Sequence, residues 1–236
     1  MSTAGLIFKS KTELDINKLI KTLFNIKIHK IEHPDQMDFD VRYIGNIMLE
    51  RYEDIYVISN DELIWDHLVD INKTPEFLYE CLGKPELFIG FCNYPSGGSY
   101  GYTVVQNGEK VRTKLIATTV PETNVDEGEP FPEELDWINS EYKFDEIEGE
   151  DKEFWPKYYY KKNDPENFAY ENDLIQYMLN DLIKSRFGFI PWLSDKKPEY
   201  HFFLTKNAEL KNPTSNKYKH LNNSWFNNVI NMFKNN

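Results

Sequence analysis

The clearest change in hydrophobic period along the chain lies between Leu87 and Ala117. Leu87 to Cys92 is a continuous apolar run, the pattern of a central strand buried on both sides. Tyr102, Val104 and Gln106 then alternate with Thr103 and Val105, and Val111, Thr113, Leu115 and Ala117 alternate with Arg112, Lys114 and Ile116. Such period-2 patterning belongs to strands that turn one face to a core. Asn107-Gly108 joins the two, since a two-residue hairpin turn needs positive φ at both central positions. Pro95-Ser96-Gly97-Gly98-Ser99 supplies a wider first turn, so a three-strand meander is predicted.

Before the meander, Leu6 to Lys9, Ile26 to Ile31, Ile47 to Tyr52 and Ile55 to Ser59 read as strands. Helical spacing begins after Ser10-Lys11-Thr12-Glu13, with Ile16, Leu19, Ile20, Leu23 and Phe24 on one stripe. Ser59-Asn60-Asp61-Glu62 predicts a second helix running to about Ile71, and Thr74-Pro75-Glu76 a third. After the meander, Asp164-Pro165-Glu166 is read as the start of the longest helix, with Phe168, Ile175, Met178, Leu179, Leu182, Ile183 and Phe187 on its stripe and Gly188 at its stop. Tyr200 to Thr205 is the predicted last strand and Asn222 to Lys234 a terminal helix. The expected fold is α+β: one domain, residues 1–236, with a mostly antiparallel sheet and a central meander, its helices covering one face.

Charge divides the chain unevenly. Residues 121–153 hold 14 Asp and Glu against two Lys, which is −12, equal to the net charge of the whole protein. Residues 196–236 carry seven Lys against two Glu. The acidic stretch and its prolines discourage regular structure, so 119–160 is read as a long loop with a short helix near Glu133 to Ile138. Its aromatic residues, Trp137, Tyr142, Phe154 and Trp155 among them, pin that loop to the protein.

Motifs for catalysis are weak. His29-Lys30-Ile31-Glu32-His33 has the H-x-x-E-H spacing of inverted zinc metalloproteases, but that site needs a helix, and Pro34 disfavours helical backbone at His33. Ser96-Gly97-Gly98-Ser99-Tyr100-Gly101 lacks the following Lys and helix start that draw a phosphate. Asp126-Glu127-Gly128-Glu129 lacks the spacing of a calcium loop. Cys81 and Cys92 stand in apolar surroundings without metal or redox spacing. No catalytic residue, metal ligand or cofactor is assigned. The absence of an apolar leader and of any run of ~20 apolar residues implies a cytoplasmic protein that does not enter membranes, and the acidic balance argues against nucleic acid.

Three pieces of the chain form a recognisable series: Gly101-Tyr102-Thr103-Val104, then Asn107-Gly108-Glu109-Lys110-Val111-Arg112, then Gly128-Glu129-Pro130-Phe131-Pro132-Glu133-Glu134. The series resembles a pattern of bacterial cytosolic proteins in which a Gly-Tyr strand, an Asn-Gly turn, a Val-Arg strand and a Gly-Glu-Pro-x-Pro segment follow one another. Some small acidic proteins of that kind are immunity partners of toxins. The resemblance implies a bacterial cytosolic setting, and acidic groups interspersed with aromatics point to a non-enzymatic protein that binds a basic partner. Charge mixed with aromatics places the expected contact on Glu133, Glu134, Asp136, Trp137, Tyr142 and Trp155. The alternatives are an enzyme whose site is assembled from distant residues, with a zinc hydrolase using His29 and His33 as its most concrete form, and a subunit of a larger assembly joined through the terminal helix.

Overall fold

The computed structural model describes residues 3–25, 28–32, 39–43, 45–161 and 164–205. The predicted terminal helix, the loop before it, and His33 and Pro34 lie outside the described residues. Strands β1 (Thr3–Lys9), β2 (Ile28–Ile31), β3 (Asn46–Tyr52) and β4 (Ile55–Ser59) come first, with α1 (Ile16–Phe24) between β1 and β2. The short helices α2 (Trp65–Val69) and α3 (Glu76–Cys81) lead to the meander of β5 (Leu87–Tyr94), β6 (Ser99–Gln106) and β7 (Glu109–Ala117). β8 (Val125–Glu127), α4 (Pro132–Ile138), β9 (Glu141–Phe144), β10 (Lys157–Lys161), β11 (Asp164–Tyr170), α5 (Leu174–Phe187) and β12 (Glu199–Thr205) complete the order.

Among the described residues nine strands make one sheet in the order β2-β12-β3-β4-β1-β5-β6-β7-β8, and every neighbouring pair is antiparallel. The fold class is α+β with a mostly antiparallel sheet, and the meander is formed as its alternation requires. At the β6–β7 turn Asn107 and Gly108 have φ of 50° and 88°. A Cβ on Gly108 would stand 2.9 Å from the Tyr79 ring, so space as well as φ calls for glycine.

Alternation in the central strands builds a core on each face of this sheet. Ala4, Leu6, Phe8 and Phe88 pack with Leu19 and Ile20 of α1, Leu68 of α2 and Leu78 of α3. Ile7, Ile89, Phe91, Tyr102 and Val104 pack with Trp137 of α4 and Ile175, Leu179 and Leu182 of α5. Helices therefore cover both faces, not one. A central strand with a continuous apolar run, as β5 has from Leu87 to Cys92, needs that double cover to keep its side chains from water. No helix among the described residues is long and apolar enough to cross a membrane.

The third helix begins at Glu76 as predicted, whereas the first two start late for one shared reason: their polar caps found other local partners. The Ser10 hydroxyl donates to the Thr12 carbonyl at 2.7 Å, and α1 begins only after Asp15, which accepts from the Lys18 amide at 3.0 Å. Ser59 stays in β4, Asn60 turns its oxygen to the Glu62 amide at 3.0 Å, and α2 is confined to Trp65–Val69. The largest difference is at Asp164, where an extended strand replaces the expected first turns of the longest helix. Tyr158 and Tyr160 of β10 pair in register with Tyr170 and Phe168, and aromatic cross-strand pairs outweigh a capping signal. The acidic stretch is likewise more regular than expected: beyond its helix it supplies β8, β9 and β10.

Candidate functional site

Arg112 on β7 is fully buried, at 1% exposure, and Glu134 on α4 is buried at 0%. The guanidinium grips the carboxylate through Nε at 3.0–3.1 Å and Nη2 at 2.7 Å, while Nη1 reaches the Glu127 and Gly128 carbonyls at 3.0 and 3.1 Å and Asp126 at 2.5 Å. Burial alone would lower the pKa of Arg112, yet its hydrogen bonds to Glu134 and Asp126 outweigh it and push the pKa up. Gly128 has φ of 83°, and a Cβ there would strike the Val111 carbonyl at 2.1 Å. β8, the Gly-Glu-Pro-x-Pro segment after it and α4 are thus clipped together by one arginine.

Of the six expected contact residues, Glu134 and Trp137 are inside the protein, which corrects their placement on a partner-facing surface. Trp137 is 1% exposed, donates from Nε1 to Asp181 Oδ2 at 2.6 Å, and lies under the Lys161 ammonium, 4.8 Å from the ring centre. Glu133 is tied to α5 by Arg186 at 3.4 Å and by the Ser185 hydroxyl. Asp136 is exposed. Tyr142 is half exposed against Tyr159, and Trp155 is partly exposed with its indole N–H on the Glu150 carbonyl at 3.1 Å. A helix facing inward at i and i+3 splits the expected patch: Glu134 and Trp137 take the buried side, and Asp136 the wet one.

A more coherent surface lies on the second sheet, ordered β11-β10-β9 and antiparallel throughout. Register assigns its faces. Ala169 and Lys161 mark the inner one: Ala169 is 1% exposed, and the Lys161 ammonium bonds to Asp181 of α5 at 2.6 Å. Tyr158, Tyr160, Phe168 and Tyr170 share the opposite face, with ring centres 5.6–6.5 Å apart. Phe168 and Tyr170 stay 45% and 39% exposed. Carboxylates rim these rings: Tyr160 donates to Glu141 and Tyr170 to Asp145, each at 2.9 Å. Both hydrogen bonds raise the phenol pKa, so these hydroxyls remain protonated donors. The segment between β9 and β10 adds Glu146, Glu148, Glu150, Asp151 and Glu153, all exposed.

At the Tyr170 end this face meets the β5–β6 turn and opens a cleft of about 480 Å³. Tyr100, Tyr170, Asp145 and Asp173 line it, along with Pro95 and Thr118. Tyr100 donates to Asp173 at 3.3 Å, and its phenol pKa is raised by burial and by that carboxylate. The glycine-rich turn therefore borders two carboxylates, an environment that repels phosphate. Sequence reasoning missed the four outer rings, although Lys157-Tyr158-Tyr159-Tyr160-Lys161 and Phe168-Ala169-Tyr170 carry the strand composition that would have found them.

Comparison of the chain with protein-family models, with curated proteins and with solved structures finds no significant match.

His29 is exposed on β2, at the sheet edge, and no group of three or more His, Cys, Asp and Glu among the described residues could hold a metal ion. Cys81 and Cys92 are free thiols, and burial pushes the Cys92 pKa up, away from reactive thiolate. His67 in α2 is different. Its imidazole is buried with Nδ1 unpartnered among the described residues, and burial, then the nearby Lys110, hold its pKa down at about 4. The folded protein keeps His67 neutral where the unfolded chain begins to take up a proton near 6.5. The stability this contributes is complete above 6.5 and is lost as the pH falls from there toward 4. The loss amounts to up to ~3 kcal/mol at ~1.4 kcal/mol per pH unit. Urea unfolding of His67→Gln at pH 7 and pH 4.5 should show a smaller drop between the two conditions than wild type; equal drops would refute the assignment.

Proposed function

We propose that the protein is a non-enzymatic binding module that holds a basic protein partner against the outer face of its three-stranded sheet. An immunity-type inhibitor of a toxin is the form its resemblance implies. The observation that carries the reading is the cluster of Tyr158, Tyr160, Phe168 and Tyr170, in which Phe168 and Tyr170 are exposed and Tyr158 and Tyr160 partly buried, rimmed by carboxylates. Residues 141–153 carry seven acids against two lysines, a local −5 that attracts a basic surface over a Debye length of about 8–10 Å. Aromatic groups that keep part of their area in water offer the anchoring that charge alone does not supply, since surface charge acts on association and desolvated rings on dissociation.

The test uses the full chain as bait, with Phe168→Ser and Tyr158→Ser beside wild type. A basic protein captured by wild type should be lost or greatly reduced on both variants while their melting temperatures change little. With that protein purified, Glu146→Gln, Glu148→Gln and Glu150→Gln together should slow association and flatten its salt dependence. Recovery of the same partner by wild type and both ring variants would remove this face from the interface.

A further inference from the structure

The three-stranded sheet ends in β9, and the backbone of that strand is only half used. Just beyond it the Asp145 amide donates to the Pro156 carbonyl at 2.8 Å, which makes these two residues a hydrogen-bonded pair of the β9–β10 ladder. Such pairs alternate along antiparallel strands, so Lys143 with Tyr158 and Glu141 with Tyr160 are the next ones. Tyr142 and Phe144, between them, turn their N–H and C=O groups away from β10, and none of these groups has a hydrogen bond among the described residues. Tyr159, opposite Tyr142, spends its own outward groups on Ala169 of β11. Glu141, Tyr142 and Lys143 are exposed, and no strand among the described residues flanks this edge. The devices that usually close an edge stand on the other side of the sheet: β11 contains Pro165, which has no amide proton, and its register with β10 shifts between Tyr160 and Lys161. β9 has no proline and pairs without a shift. The ammonium of Lys143 leans back over the Tyr160 ring, 4.8 Å from its centre, away from the open side.

We infer that β9 is a site of strand addition, where an extended basic segment of the partner pairs as a fourth strand of the small sheet, an inference that rests on the binding function proposed above. In strand addition the main-chain hydrogen bonds supply affinity and alternate side chains supply specificity. One set of side chains on the added strand falls beside Glu141 and Lys143 and continues the outer face of Tyr158 and Tyr160. The other set falls beside Tyr142 and Phe144, whose rings stand 5.7 Å apart and offer apolar contact. Charge selects the occupant. The exposed Glu146, Glu148, Glu150, Asp151 and Glu153 follow directly on β9, so a strand rich in Lys or Arg is drawn to this edge. A second copy of the chain pairing here through its own β9 would bring two such acidic segments together, and their repulsion opposes it.

The probe is an acetylated, amidated octapeptide of alternating Lys and Val, titrated into the isotope-labelled full-length protein and followed by NMR. It should bind saturably and slow hydrogen exchange of the Tyr142 and Phe144 amides by about tenfold or more, while Lys143, already in the ladder with Tyr158, changes little. Tyr142→Pro removes the outward N–H and no bond to β10, so it should weaken the peptide about tenfold. Tyr142→Ser keeps the amide and should stay within a few-fold of wild type. The counterpart peptide of alternating Glu and Val should not bind. Absence of saturable binding overturns the inference, as does binding that leaves both amides unprotected, that Tyr142→Pro does not weaken, or that the Glu-Val peptide equals. Protection of both amides that grows with protein concentration in the absence of peptide would give the edge to a second copy and overturn it too. The exchange measurement on wild type decides the matter even where Tyr142→Pro loosens the small sheet. None of these failures touches the proposed function, which stands or falls on capture of the partner by the Phe168 and Tyr158 variants.

Discussion

Arg112→Ala should lower the stability of the protein by about 3–5 kcal/mol, the cost of leaving a buried charge without its partner. Glu134 would remain at 0% exposure with its carboxylate stripped of three contacts, and the Glu127 and Gly128 carbonyls would lose their donor as well. Against a total stability of about 5–15 kcal/mol for an ordinary domain, such a loss shows as a large fall in the urea midpoint. Glu134→Gln should cost less than Arg112→Ala, because Asp126 still faces the guanidinium at 2.5 Å and the amide keeps one acceptor. The pair Arg112→Met with Glu134→Leu should cost less than the sum of the two single apolar replacements, since removing both charges strands neither. If Arg112→Ala and Glu134→Leu each stay within about 1 kcal/mol of wild type, the pair is not the clip described here.

The same pair explains what could be read ahead of the structure and what could not. Asn107-Gly108 acts over two residues, so its turn, the flanking alternation and the whole meander were legible from the chain. The role of Arg112 was not, because its partner stands 22 positions away and is reached only through the turn at Gly128. Residues that sit apart in the resemblance pattern, Arg112, Gly128 and Glu134, are in this fold one structural unit, and their proximity has no local signal. Within α5 the stripe from Ile175 to Phe187 was read correctly, because helical period is a property of the segment itself. Its expected beginning at Asp164 was misplaced for the opposite reason: Asp-Pro-Glu imitates a helix start, while the pairing that makes the segment a strand belongs to β10. The candidate surface was visible only as charge. Which aromatics accompany that charge depends on packing, and packing withdraws Trp137 and leaves Phe168 in water.

Trp137 therefore provides the second large effect, and its sign separates an internal residue from a surface anchor. Trp137→Ala should cost about 3–5 kcal/mol, the usual range for emptying a large aromatic from a core. The ring fills the space between α4, α5 and β10, in edge contact with Tyr177 at 5.4 Å and beneath Lys161. Its N–H also satisfies Asp181, which at the same time holds Lys161 at 2.6 Å. Removing the indole thus loosens the attachment of the three-stranded sheet along with the core. Trp137→Phe should recover part of the loss by restoring volume, but not all, because the Asp181 bond stays broken. Trp155→Ala, which gives up a partly exposed ring and one bond to a carbonyl, should shift the midpoint by about 1 kcal/mol or less. A surface anchor would behave the other way: thermal unfolding would not change, and the off-rate from the partner would rise. An unaltered melting temperature for Trp137→Ala would return this residue to the protein's exterior, and with it the contact patch on α4.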